Sequence, residues 1–363
     1  MKAPPQPGGK KAATTAPPDV AAGAEAPSAQ QLALTQLRQH LTDWMQHEPG
    51  ARVGSDPEEL HQLRVAVRRI EATLGLFKHQ LPSRLINARN AAKGVLRALG
   101  AARDLDVQLM ELRQYRKRLP ADERAAAAPL EARLEAERAR ARAMMLGMLD
   151  SEATRHWLEV LNLASADFAS TATPQAPRAA TVMPERVRAR FRKLRNAVRK
   201  LDAHSSMDAY HVVRRRAKQL RYSIECGADL FGKPAEGILR SLRRLQDGLG
   251  AQQDAHMAKS RLAALAAEGV LLPPETLFLM GRLAEHHLDA TREVRKSLSR
   301  PWRKVSGRRW KALRARMQEL SDAASGELPS PHATVVAAPA TPTLVSPDEE
   351  LPQQPIEPTP LRH

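Results

Sequence analysis

Residues 60–77 read LHQLRVAVRRIEATLGLF. Leu60, Leu63, Val67, Ile70, Leu74 and Phe77, with Leu81 beyond them, are spaced alternately by three and four. That spacing is a single apolar stripe, the mark of an amphipathic helix packed along a seam. The preceding residues supply its start: Asp56 is a good N-cap, Pro57 suits the first helical position, and Glu59 completes a capping box. His61, Arg64 and Arg68 each follow a stripe residue by one position. One residue turns a helix by about 100°, so these cations form a row beside the apolar seam. A row so placed would line a groove between packed helices, where low-dielectric walls focus the field.

The pattern occurs twice. His61, Arg64, Arg68, Ile70, Leu99, Gly100 and Asp104 are matched by His211, Arg214, Lys218, Leu220, Leu249, Gly250 and Asp254, every pair 150 residues apart. Tyr210, Val213, Ala217, Leu220 and Ile224 repeat the apolar stripe, with Ser205 or Ser206 as its cap. A partner helix follows in each copy, through Ala88, Ala92, Val95 and Leu99 and through Ile238, Leu242, Leu245 and Leu249. Lys93 and Arg243 follow this second seam as the other cations follow the first. Gly100 and Gly250 are helix C-caps or close-packing points. A solvated face gives no reason for the same cations to recur in both copies, so this set is read as functional.

Outside the motifs the middle of the chain is rich in Ala, Leu, Arg and Glu and lacks period-two alternation. Further helices are expected at Gln30–His47, Leu105–Arg118, Glu123–Leu149, Thr154–Ala169 and 185–202. The fold class is therefore all-α: two pseudo-symmetric antiparallel helical bundles from an internal duplication. The first half spans about 28–170 and the second about 185–320, joined by a Pro/Thr/Ala linker at 171–184. Residues 1–27 form an Ala/Pro-rich tail and 321–363 an acidic Pro-rich one, both expected to be disordered.

Charge points to the ligand class. The chain has 363 residues and a formal net charge of +17. Residues 31–320 hold 53 Lys/Arg against 32 acids, while 321–363 hold one Arg against six acids. The helical part is thus more basic than the whole and attracts polyanions such as nucleic acid, anionic membrane or phosphate chains. Aromatic residues are only 3%, which leaves few rings for base stacking. An anion without bases fits better.

The lone Cys226 reads as a buried small apolar residue, and no disulfide can form within the chain. No run of 18 apolar residues suggests a membrane span, and the N-terminus has no apolar stretch of a secretory signal. The expected setting is the cytoplasm, without membrane contact. His61 and His211 are core or capping histidines, or anion contacts near a helix start. Asp104 and Asp254 are general bases or, preferably, helix-start caps or partners of basic residues. Residues 186–200 carry eight Lys/Arg, and 292–316 carry eleven against Glu293 alone. These runs are solvated surface, an extension of the groove, or a site for a second polyanion. For Arg69, Arg113, Arg116 and Arg118 a solvated face is the default reading.

The stretch at 60–77, with VLRALGAARDLDVQL at 95–109, YHVVRRRAKQLRYSIE at 210–225 and LRRLQDGLGAQQDAH at 242–256, resembles the CHAD family, the conserved-histidine α-helical domain. The resemblance covers roughly residues 30–300. It implies a helical domain whose basic surface binds inorganic polyphosphate; proteins with this domain alone, called phosins, are associated with polyphosphate granules. Carried onto this chain, the implied binding residues are His61, Arg64, Arg68, Arg69, Lys93, Arg97, Arg103, His211, Arg214, Arg215, Lys218, Arg221 and Arg243. Glu71, Gln219 and Gln253 depart from the family's basic pattern and make the two copies unequal. The ExExK motif of the triphosphate-tunnel hydrolases that accompany some CHAD domains is absent, since Ala139 follows Glu135 and Glu137 where Lys is needed. The expectation is binding without catalysis, with no cofactor and no metal. A basic nucleic-acid-binding protein, contacting its ligand through 186–200 and 292–316, is the alternative. The acidic tail would compete for the groove in cis.

Overall fold

Ser28 opens the first helix with a capping box: its hydroxyl accepts from the Gln31 amide at 3.1 Å, and the Gln31 side chain accepts from the Ser28 amide at 2.8 Å. The computed structural model describes residues 27–166, 176–202, 204–267 and 272–326. Among these residues every regular element is helical. The first half contains α1 (Ala29–Val53), α2 (Pro57–Leu76), α3 (Ser83–Arg118), a short 3-10 segment (Ala121–Ala127), α4 (Ala128–Asp150) and α5 (Glu152–Ala166). The second contains α6 (Ala179–Arg199), α7 (Met207–Cys226), the short α8 (Ala228–Phe231), α9 (Lys233–Ala267), α10 (Pro274–Ser297), α11 (Ser299–Ser306) and α12 (Arg308–Gly326).

The order of packing is the same in both halves. Helices α1, α2, α3 and α4 pack successively, as do α6, α7, α9 and α10. Helix α5 then closes on α1 and α3, as α12 closes on α6 and α9. The correspondence extends to the helix starts: the Ala29 amide donates to Pro177 O at 2.8 Å and the Ala179 amide to Pro27 O at 2.9 Å. Each half supplies a carbonyl for an amide that helix geometry leaves unpaired in the other.

The apolar stripes are buried. Leu60, Leu63, Val67, Ile70 and Leu74 on α2, and Val213, Ala217, Leu220 and Ile224 on α7, are almost fully excluded from solvent. They belong to one core drawn from both halves, which also contains Trp44 edge-on to Trp157 and Phe191 stacked on Trp310. Burying each valine, leucine or isoleucine of the stripes contributes about 1.5–3 kcal/mol before the cost of ordering it. A second core joins the C-terminal parts of α3 and α9 through Leu105, Leu109, Leu112, Leu262 and Leu265 to α4 and α10. Cys226 is buried, and burial pushes its thiol up to about 12.

Several boundaries differ from the sequence reading. The Asp56 carboxylate accepts from the Glu58 amide at 2.8 Å, but Glu59 closes no capping box; it meets His47 Nδ1 at 2.9 Å instead. Helix α2 stops at Leu76, five residues short of Leu81, and the chain turns through Phe77 and Gln80 before Pro82. Leu105–Arg118 is not a separate helix: α3 runs unbroken through Gly100, and α9 through Gly250. Asp104 and Asp254 therefore lie inside helices rather than at their starts. Helix α6 begins at Ala179, inside the expected linker, with Ala180, Met183 and Pro184 buried. Pro184 gives up one helical amide, and its apolar ring is sheltered by the core. Helix α12 reaches Gly326, six residues into the expected tail. Residues 1–26, 167–175 and 327–363, where most of the two tails and part of the linker fall, lie outside the described residues.

Candidate anion-binding site

Helices α2 and α7 meet at the junction of the halves, and their cation rows meet with them. A cleft there consists of two cavities of about 590 and 530 Å³. Arg68, His211 and Arg214 line both. His61, Arg64, Arg103, Gln253 and Asp254 line the first; Lys93, Arg190, Arg215, Lys218 and Tyr222 line the second. The cleft is thus built by both copies of the motif, and cations outnumber carboxylates along it.

The two glycines explain how the central arginines lie. A β-carbon on Gly100 would come within 3.3 Å of Arg64 Nη2, and one on Gly250 within 3.2 Å of Arg214 Nη2. Both guanidiniums therefore pack against bare helix backbone, and their Nε atoms are buried without a partner. Of the two alternatives the sequence left open, these glycines are close-packing points. Asp104 partners a basic residue, accepting from Arg64 Nη1 at 3.1 Å.

Burial, with the field of neighbouring charges added, shifts the groups of the cleft. Burial, then the charges of Arg68, Arg214 and Arg64, bring the Lys218 ammonium down to about 6. Burial, then Arg64 among others, also lowers Arg68. His61 is lowered by burial first. At the carboxylate end burial pushes Glu111 up to about 7, helped by nearby Asp254, which burial itself raises. Charging Lys218 in the empty cleft is unfavourable first because it is buried and then because its neighbours are cations. An anion bound among them would reverse that.

Not every expected site residue reaches the cleft. Arg69 turns away to Asp43 at 3.6 Å. Arg221 lies over the Tyr222 ring, 4.9 Å from its centroid, and faces Glu225 at 3.7 Å. Arg243 shares that carboxylate at 3.6 Å. Arg97 is exposed on α3, one turn beyond Lys93, and lines neither cavity. Arg103 donates to Pro57 O at 3.1 Å from the edge of the first cavity. His211 holds Gln253 at 3.2 Å across the α7–α9 contact. Arg113, which is exposed, and Arg116 are ion-paired with Glu131.

Two lining cations escaped the motif reading. Arg89 grips Glu71 at 2.6 Å and so offsets the acid that departs from the family pattern. Arg190 donates to Gln219 O at 2.8 Å, and burial brings it down to about 10. The basic run at 186–200 was the available signal for Arg190; Arg89 had none. Among the described residues no three His, Cys, Asp or Glu side chains are placed to hold a metal ion, and no helix is long and apolar enough to cross a membrane.

This arrangement has relatives. PptA from Streptomyces chartreusis shares the fold with a TM-score of 0.59 at 21% identity, over 77% of this chain and 100% of that one. The CHAD domain from the plant Ricinus communis superposes with a TM-score of 0.58 at 22% identity, over 81% of this chain and 92% of that one. No curated protein sequence is similar enough to count as a match. The CHAD domain family model matches residues 35–263. With both motif copies and the whole cleft inside or beside that span, the chain belongs to the CHAD domain family.

Proposed function

We propose that this protein binds inorganic polyphosphate in the cleft between its halves, without catalysis, and that this binding carries it to polyphosphate granules in the cytoplasm. One observation carries the reading: Arg64 and Arg214, Arg68 and Lys218, and His61 and His211 converge from both repeats on one cleft that depresses its own lysine. Arginine offers paired donors to phosphate oxygens, and histidine adds a donor or a proton-dependent charge. Among the described residues, Tyr222 is the only ring besides the imidazoles that lines the two cavities, so bases would find little to stack on. A linear chain of phosphates needs neither rings nor a wide opening. The family resemblance supports the same ligand.

The test is a double charge reversal, Arg64→Glu with Arg214→Glu. It should abolish binding of long-chain polyphosphate and granule association while the helical circular-dichroism signal is kept. Full binding by that folded variant would remove the cleft as the site. Wild-type affinity should also fall steeply with salt, as counterion release requires of a linear polyanion. Phosphate release from polyphosphate with added Mg²⁺ or Mn²⁺ would overturn the non-catalytic part of the reading.

A further inference from the structure

Helix α6 carries cations on two sides. Arg190 lines the cleft, and Arg186, one turn before it, donates to Gln80 Oε1 at 2.7 Å. Arg188, Arg192, Arg195 and Arg199 are spaced by four, three and four, which makes a second row roughly opposite the first. The buried residues Val187, Phe191 and Leu194 separate the two rows. Arg188 Nη2 donates to Gln318 Oε1 at 2.9 Å, so the outer row runs along α12. On α12, Lys311 and Arg314 precede Gln318 by seven and four positions and share its face.

Arg192, Arg195, Arg199, Lys311 and Arg314 are all exposed. Among the described residues none of these five has a carboxylate partner. Four arginines of α3 and α4 differ: Arg113, Arg116, Arg133 and Arg138 are each paired with a carboxylate. Acids flank the outer row without pairing with it: Glu185 precedes it on α6, Asp202 follows α6, and on α12 Glu319 meets Arg316 at 3.2 Å while Asp322 accepts from Gln318 Nε2 at 2.8 Å. Uncompensated cations at this density are a binding surface for a polyanion.

The shape of the face selects among polyanions. With a rise of about 1.5 Å per residue, the α6 row is roughly 16 Å long. Packed helices lie roughly 8–10 Å apart, a separation comparable with the roughly 6–12 Å widths of the grooves of B-form DNA. Two cation rows can then meet phosphates of both strands, whereas a single phosphate chain can follow only one row. The face is open, so a duplex too wide for the cleft can lie on it. Trp302 and Trp310 are stacked on Phe191, with centroids 6.1 and 3.6 Å away, and are not offered to bases. We propose that the α6–α12 face binds the phosphate backbone of duplex DNA, without regard to sequence and independently of the cleft.

The full chain is titrated with a short fluorescent DNA duplex and, separately, with labelled long-chain polyphosphate as salt is varied. The triple variant Arg192→Gln, Arg195→Gln, Arg199→Gln should bind the duplex about tenfold more weakly or worse, with a salt slope smaller by roughly 2–3. Its polyphosphate affinity should stay within about twofold. Lys311→Gln with Arg314→Gln should give a smaller loss of the same kind. The cleft variant Arg64→Glu with Arg214→Glu should keep duplex binding, which separates failure of this inference from failure of the polyphosphate reading. Three outcomes overturn it: the wild type ignores the duplex, the folded triple variant binds duplex like wild type, or the triple variant loses polyphosphate instead.

Discussion

Arg214 rests on Gly250, close enough that a β-carbon there would stand 3.2 Å from Nη2, and Arg64 rests on Gly100 in the same way. Both glycines are interior to long helices, where glycine costs about 1 kcal/mol relative to alanine. Their retention in both halves is explained by the arginines above them. Replacing both by alanine should leave the thermal midpoint unchanged or higher, yet weaken polyphosphate binding several-fold by lifting the guanidiniums. Calorimetric titration beside a melting curve checks this; unchanged affinity would show that the contact does not position the arginines.

Lys218 gives the binding a pH dependence. Its ammonium, facing Arg64 and Arg68 from α2, Arg214 on its own helix and Asp254 from α9, holds its proton only below about 6 when the cleft is empty. A bound phosphate favours the charged form, so binding takes up a proton. Affinity should fall as pH rises above 6, by at most about tenfold per unit for one proton. Glu111, pushed up to about 7, adds negative charge over an overlapping range and works in the same direction. Lys218→Met should remove most of the slope above pH 7.5, and Glu111→Gln should leave it there. A flat profile in the wild type would contradict the assignment.

The same lysine affects stability. Unfolded, it stays protonated to about 10.4; folded and unliganded, it loses the proton above about 6. Between those values the unfolded chain binds the extra proton, so stability rises with pH. Glu111 acts oppositely in a lower window, since its folded form holds a proton up to about 7. Melting temperatures of the ligand-free protein should therefore rise from pH 7 to 9, and Lys218→Met should flatten that rise.

Asp106 is the buried anchor of the second core. Its carboxylate accepts from Arg138 Nε at 2.6 Å and is almost fully shielded. Asp106→Ala leaves the arginine only its longer contact with Glu135 at 3.8 Å, a loss of about 1–3 kcal/mol. Chemical denaturation should show that loss. Polyphosphate affinity of the folded fraction should be unchanged, because neither residue lines the cleft.

Ser28 caps the first helix from both directions. Ser28→Ala should lower stability by about 1 kcal/mol, again without affecting the cleft. A loss several times larger would mean that the contact with the start of α6 depends on the cap as well.

Much of this was legible in the chain because helical packing repeats with a short period. The stripe from Leu60 to Leu74 announces a buried face, and the 150-residue offset announces that a second face matches it. The row of His61, Arg64 and Arg68 could be placed beside the seam by counting alone. What counting could not supply was long-range company. Arg221 and Arg243 have the same spacing as their neighbours, but Glu225 lies between them and draws them aside. Arg89 enters the cleft through its pairing with Glu71, eighteen residues away on another helix. Gly100 looks like a helix end because glycine usually is one. Only the arginine packed over it reveals why the helix continues.

The paired carbonyls of Pro27 and Pro177, each serving the helix of the other half, have a thermodynamic consequence. Each repeat resembles a self-sufficient bundle in its helix order, but its first helix is completed by the opposite repeat and its apolar core is shared. Neither half can melt without stripping partners from the other. The structural repeat is therefore smaller than the unit that folds, and denaturation should proceed in one cooperative step for both halves together.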